Sequence, residues 1–263
     1  MRITILIENT CKRSNLSAEH GLSLLVEAAG KRILFDTGAS PAFADNAAQL
    51  GIDLCTVDMV VLSHGHYDHG GGISRFLELN AHAPVWVSPH AFEPHFNAAG
   101  KDIGLPPALK GHPRLCTAPA GAYAIAPGIT LHPASSVPCP YPAAGEGMST
   151  LIDGARHSDD FRHEQYLLIE EAGKRVLISG CSHRGIRNIA HHFAPDILIG
   201  GLHLAKADAR RILETGKHLL SLPTRIYTGH CTGDAATTLL RQMLGDRLIP
   251  FTTGDTISIN MLP

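Results

Sequence analysis

The chain of 263 residues is poor in aromatics, with one Trp, five Tyr and eight Phe. Neither sign of charge dominates: 22 Lys and Arg face 24 Asp and Glu, a formal net charge of −2. Without a basic field to grip phosphates, no nucleic-acid partner is expected. No apolar run approaches the roughly 20 residues that cross a bilayer, so no membrane partner is expected either. The six cysteines (Cys11, Cys55, Cys116, Cys139, Cys181 and Cys231) contain no CxxC pair, which excludes a zinc ribbon and a disulfide framework. The GxxxxGKS/T phosphate loop, a GxGxxG turn after a strand and the GxSxG nucleophile elbow are all missing. A serine triad is therefore not expected. The five-residue apolar run in MRITILIENT is too short for a signal peptide and reads as a strand. A reduced, cytoplasmic protein is the expectation. Hydrophobic residues at 44% and charged residues at 17% exclude disorder and predict a large core.

What the chain has in excess is histidine, 17 residues. Imidazole is the commonest metal ligand and carries protons near neutral pH. The histidines sit in a repeated frame. Residues 23–38 read as strand, tight turn at Ala29-Gly30-Lys31, and strand; 166–181 read the same way. Leu24, Leu25, Glu27, Ala29, Gly30, Lys31, Arg32 and Leu34 recur as Leu167, Leu168, Glu170, Ala172, Gly173, Lys174, Arg175 and Leu177. Asp58-Met59-Val60-Val61 falls over Asp196-Ile197-Leu198-Ile199 with a slightly different offset. The remaining expected strands are 3–8, 59–63, 84–89, 196–204 and 225–230. The expected helices are 41–51, 73–82, 185–193, 205–221 and 232–244. Two such α/β halves face to face give a sandwich with helices outside and two sheets inside. Ligand sites in open sheets lie at the carboxyl ends of strands, so strand-end histidines should converge on one cleft. Residues 89–147, rich in Pro, Gly, Ala and His, lack periodicity and read as an insertion forming a wall or lid of that cleft. The whole of 1–263 is expected to be one domain.

The densest signal is Ser63-His64-Gly65-His66-Tyr67-Asp68-His69-Gly70-Gly71-Gly72, after an apolar strand. A lone histidine there would read as structural, but three with an aspartate would not. Nitrogen and carboxylate donors suit Zn, Mn or Fe. With Asp36-Thr37-Gly38 upstream, this H-x-H-x-D-H motif resembles the metallo-β-lactamase-fold hydrolase superfamily, an αββα four-layer sandwich. The resemblance implies one or two divalent metals, zinc first among them. His64 and His66 would bind one, Asp68 and His69 the other, with Asp36 orienting the motif from behind. Glu19-His20-Gly21-Leu22-Ser23, Ser179-Gly180-Cys181-Ser182-His183-Arg184-Gly185, Gly200-Gly201-Leu202-His203-Leu204 and Thr228-Gly229-His230-Cys231 resemble one subgroup. That subgroup is the 7,8-dihydropterin-6-methyl-4-(β-D-ribofuranosyl)aminobenzene-5′-phosphate synthase-like proteins.

The superfamily pattern implies that His230 completes the second site. It also implies a bridging aspartate where this chain has Cys181, either a thiolate ligand or a small buried residue. His183 is expected as the third ligand of the first metal, with His163 or Glu164 as alternatives near the superfamily's usual position. His203 ends a strand as a ligand, a general acid, a phosphate contact or a structural histidine. Asn9, His20 and Arg184 are candidate substrate contacts. His82, His90, His95, His112, His132, His157, His191, His192 and His218 lack ligand spacing and are expected to be structural or solvated.

The implied chemistry is hydrolysis by a metal-activated water, with Asp68 orienting the nucleophile and His203 protonating the leaving group. A phosphorylated small molecule or phosphate ester fits the subgroup. Three readings compete: condensation of a pterin with a ribofuranosyl-aminobenzene phosphate, iron redox chemistry, and a metal carrier without turnover.

Overall fold

In the hairpin Ser23–Ala28 and Lys31–Phe35, Ala28 pairs with Lys31, which leaves Ala29 and Gly30 as a two-residue turn. Both turn residues have positive φ, 48° and 70°. That backbone matches the right-handed strand twist and favours glycine at its second position. The hairpin Gln165–Glu171 and Lys174–Ser179 repeats it, with Ala172 at 48° and Gly173 at 73°. The repetition extends further. Asp58 accepts the Arg32 N–H at 2.8 Å, and Asp196 accepts the Arg175 N–H at 2.8 Å. Each clamp sits where an antiparallel hairpin hands over to a parallel strand, Met59–Val61 in one half and Ile197–Gly200 in the other.

Each hairpin is the centre of a seven-stranded sheet. The first runs Thr256–Ser258, Arg2–Ile7, Ser23–Ala28, Lys31–Phe35, Met59–Val61, Val85–Trp86 and Leu115–Cys116. The second runs Leu248–Pro250, Arg225–Thr228, Ile197–Gly200, Lys174–Ser179, Gln165–Glu171, Ile129–Pro133 and Tyr123–Ala126. Alternate residues of each strand serve different cores. Leu24, Val26, Ile33 and Phe35 meet Leu167, Ile169, Val176 and Ile178 between the sheets. Leu25, Leu34 and Val60 pack outward on Phe43, Ile73 and Phe76, the helices Ala42–Gln49 and Ile73–Leu79. Leu168, Leu177 and Leu198 pack outward on Ile186–Phe193, Ala209–Leu220 and Asp234–Leu244. Three apolar interfaces separate four layers, so the αββα sandwich holds.

The computed structural model describes residues 1–259; the last four residues of the expected single domain lie outside it. Among the described residues no helix is long and apolar enough to cross a membrane. The segment 89–147 is not one insertion. Leu115–Cys116 joins the first sheet, and Tyr123–Ala126 and Ile129–Pro133 form the edge of the second. Ala124 and Ala126, and the half-exposed pattern of an edge strand, hid their periodicity. Beyond the sheets, His95–Phe96, Ser149–Ile152 and Ala155–Ser158 form a separate three-stranded ribbon. Ala98, Gly145 and Glu146 of this segment line the cleft.

Candidate metal centre

The parallel strand Met59–Val61 delivers the histidine motif to the sheet edge, where His66 starts the short helix Tyr67–Gly70. His64 and His69 are fully buried, and His66 and Asp68 nearly so. Asp36, in the left-handed region at φ 60°, aims its carboxylate at the motif. It accepts the Ser63 N–H at 2.6 Å, the Ser63 hydroxyl at 2.7 Å and the His69 Nδ1–H at 2.7 Å. Having donated to Asp36, Ser63 Oγ accepts from His64 Nδ1 at 2.8 Å. Both rings therefore carry their hydrogen on Nδ1 and present an Nε2 lone pair. His230 is held the same way, its Nδ1 donating to Asn9 Oδ1 at 2.8 Å. Glu8 accepts the His230 N–H at 2.6 Å.

Three lone pairs thus point inward. His69 Nε2 and His230 Nε2 lie 3.2 Å apart, and Asp68 Oδ2 lies 3.8 and 3.5 Å from them. Donor atoms around one tetrahedral zinc ion sit about 3.3 Å apart. Two facing nitrogens at this distance need a proton or a metal ion between them. His64 and His66 meet His183 in a second group whose donor atoms lie within 4.8 Å of one another. His64 Nε2, His66 Nε2 and both ring nitrogens of His183 are buried without a hydrogen-bond partner. Buried polar atoms are seldom left so, and these donor sets fit divalent ions.

The electrostatics agree. Burial, then repulsion between neighbouring rings, pushes His64, His66 and His183 well below the usual imidazole range. They are neutral and able to ligate. Burial also opposes charge on His69, but Asp36 and Asp68 outweigh it and raise that ring to about 9. A proton on His69 Nε2 and a metal ion compete for one place. Burial pushes Asp68 up, yet His69 and His230 pull it further down, so it stays ionised.

Cys181 lies where the bridging group was expected. Its sulfur is 3.2 Å from His69 Nε2 and within 4.8 Å of donor atoms on His64 and His230. Glu164 does not join the donor set. Its oxygens accept the His183 N–H at 2.7 Å, the Arg184 N–H at 3.0 Å and the Tyr166 hydroxyl at 2.6 Å. It holds the loop that carries His183, whose ring stacks on Phe161. Arg184 is not a cleft residue, because its guanidinium is spent on the carbonyls of Asp160 and Val137. Asn9 lines the cleft, but its side chain orients His230. His20 reaches the cleft with Nε2 3.4 Å from Asp68 Oδ2. His203 also lines the cleft, its ring 4.3 Å from that of His183, outside every donor group. Burial, then His230 and Arg211, lowers it to about 4.

His163 lies outside the donor set, and His95 beside it is a buried structural histidine. His163 Nδ1 accepts the Gly65 N–H at 2.9 Å, so its lone pair is already used. His95, expected to be structural or solvated, is fully buried beside it, with Asp159 3.0 Å from its Nδ1. Only the partners, 64 residues apart, show this, and no local spacing could. Glu8 was missed for the same reason.

The cleft above the donors has a volume of about 1070 Å³. Among the nine non-glycine residues described with positive φ, Asp36, Ser182, His203 and His230 all lie at this sheet edge. Strained backbone of this kind concentrates at functional sites.

A family model of the metallo-beta-lactamase superfamily matches residues 17–227, and the chain belongs to that superfamily. Membership and the His/Asp clusters imply divalent-metal binding. Among its relatives is the 7,8-dihydropterin-6-methyl-4-(beta-D-ribofuranosyl)-aminobenzene-5'-phosphate synthase of Methanocaldococcus jannaschii, 32% identical over 82% of each chain. An uncharacterized protein of the same organism is 30% identical over 92% of this chain and 94% of its own. The crystal structure of a metal-dependent hydrolase of the beta-lactamase superfamily superposes with a TM-score of 0.85. It is 28% identical over 98% of this chain and 99% of that one.

Proposed function

We propose that the protein is a metal-dependent hydrolase of a phosphorylated small molecule or phosphate ester. The observation that carries the proposal is the convergence of oriented Nε2 lone pairs and Asp68 at the floor of an open cleft. His64, His66 and His183 would hold one ion, and Asp68, His69 and His230 a second, with Cys181 between them. Zinc is the proposed metal, which N, O and S donors suit; manganese and iron are the alternatives that metal analysis separates. A bound divalent ion supplies a water that ionises near neutral pH and polarises the bond to be cleaved. The chain's own residues do the rest. Asp68, ionised and shared between the ligand rings, is placed to orient that water. His203, neutral, can hydrogen-bond the leaving-group oxygen. Lys12 and Lys206, on the same cleft, supply positive charge for an anionic group.

The first experiment is elemental mass spectrometry on protein purified without added metal or chelator, followed by phosphomonoester and phosphodiester assays. Near two equivalents of zinc and ester turnover are expected. His64→Ala with His66→Ala should remove both metal and turnover; turnover surviving in that variant would sink the proposal.

The synthase relative supports a second reading, a condensation at the same centre. It predicts that two substrates are consumed together and that simple esters are left intact.

A further inference from the structure

Two of the six cysteines meet at the floor of the cleft. Cys181 follows the strand Lys174–Ser179, and Cys231 follows the strand Arg225–Thr228. Both line the cleft, Cys181 buried and Cys231 partly exposed. Their sulfurs and a ring nitrogen of His230 lie within 4.8 Å of one another. The Cys231 thiol donates to the Cys181 carbonyl at 3.6 Å, and the Cys181 sulfur lies 3.2 Å from His69 Nε2. Among the described residues, none of the other four cysteines falls in a group of this kind.

The main chain brings the two sulfurs together without help from a metal. Gly201 N–H donates to Gly180 O at 2.8 Å, next to Cys181. Leu204 and Ala205 N–H donate to Cys231 O at 3.0 and 3.1 Å, and Leu202 N–H donates to Thr232 Oγ1 at 2.9 Å. One loop, 200–205, is therefore bonded on one side to the residue before Cys181 and on the other to Cys231 itself. Gly201 sits at the junction. A Cβ there would come within 2.3 Å of Cys231 Sγ and 3.0 Å of Gly180 O. Glycine at this position is what leaves the Cys231 sulfur room beside Cys181.

We propose that Cys181 and Cys231 form a peroxide-sensitive dithiol, whose disulfide withdraws the Cys181 sulfur from the metal centre. Cys231, the more exposed sulfur, attacks hydrogen peroxide. The O–O bond breaks, Cys231 becomes a sulfenic acid and one water leaves. The Cys181 sulfur then attacks the sulfenic sulfur. The S–O bond breaks, an S–S bond of about 2.05 Å forms and a second water leaves. Two thiols give up two hydrogens with their electrons, and one peroxide takes them. A small dithiol reductant reverses the step by thiol–disulfide exchange. The proposal rests on the metal-centre reading only for its consequence, since the disulfide itself needs no metal. An ion held by Cys181 occupies that sulfur, so metal-loaded protein should oxidise more slowly.

The test is peptide mapping of chelator-treated protein after brief exposure to hydrogen peroxide and digestion with trypsin. A cross-link between residues 176–184 and 226–241 is expected, lighter than the two peptides by two hydrogens and released by dithiothreitol. Cys181→Ser and Cys231→Ser should each lose it. In chelator competition, peroxide-treated wild-type protein should lose zinc affinity and regain it with dithiothreitol. Cys231→Ser should keep its zinc affinity through the same treatment. No cross-link in chelated protein, a cross-link to another cysteine, or one that persists in Cys231→Ser would overturn the proposal. So would a cross-link that leaves zinc affinity unchanged. Wild-type protein that binds no zinc but forms the cross-link would refute the metal centre and support the dithiol.

Discussion

Asp36 governs two ligand histidines at once, His69 directly and His64 through Ser63. In Asp36→Ala, the Ser63 N–H and the His69 Nδ1–H lose their buried acceptor, at about 1–3 kcal/mol each. A thermal melt should show the loss, and metal analysis should show both positions weakened. Among the ligand histidines, Asn9→Ala acts on His230. It should lower affinity for one ion about 10–100-fold, read by chelator competition, and leave the other unchanged. The ring pKa shifts predict how the metal-free protein responds to pH. His64, His66 and His183, depressed in the fold, contribute stability above about 6.5 that is lost as pH falls. His69, raised to about 9, contributes stability below about 6.5 that is lost as pH rises through 9. Chelator-treated protein should therefore melt highest near pH 6.5 and lower on both sides. A melting temperature that climbs steadily from pH 6 to pH 9 would contradict the assignment for His69. Local spacing made His64, His66, Asp68 and His69 legible, since one turn carries them all. Glu164 was legible only as an inward acid, because composition does not tell a ligand from a backbone clamp. His95 was not legible at all.

At the scale of elements, the two hairpins were readable because a two-residue turn leaves a local mark. The edge strand Tyr123–Ala126 was not, since an edge strand needs fewer apolar residues than a central one, nor was its neighbour Ile129–Pro133, five residues that end in proline. The short helix Tyr67–Gly70 was hidden by the ligands themselves, whose identities answer to chemistry rather than helix propensity. Both turns hold alanine in the left-handed region, a place better filled by asparagine. Ala172→Asn should stabilise the protein by about 0.5–1 kcal/mol, roughly 2 °C in a thermal melt, without changing metal content.

The whole molecule joins two similar sheets along a dry interface whose residues do no chemistry. That interface was legible from the repeat, because both hairpins carry the same alternation of inward and outward side chains. The way strand ends meet was not, because it depends on loops such as Ser182-His183 and Gly229-His230. Removing metal should lower the melting temperature by several degrees, and adding zinc back should restore it. A chelated protein that melts unchanged would mean that the donors are held by the fold alone.

The paired His69 and His230 are 161 residues apart in sequence and 3.2 Å apart in space. One belongs to the first half and one to the second. An ion between them would act as a rivet through the open end of the sandwich, where the apolar interface has run out. Without the rivet, the halves would part first at the cleft, like a book opening from its fore-edge while the spine stays sewn. Hydrogen exchange after chelation should then quicken at the strand ends around Ser63, Ser179 and Thr228, and stay slow at the hairpin turns.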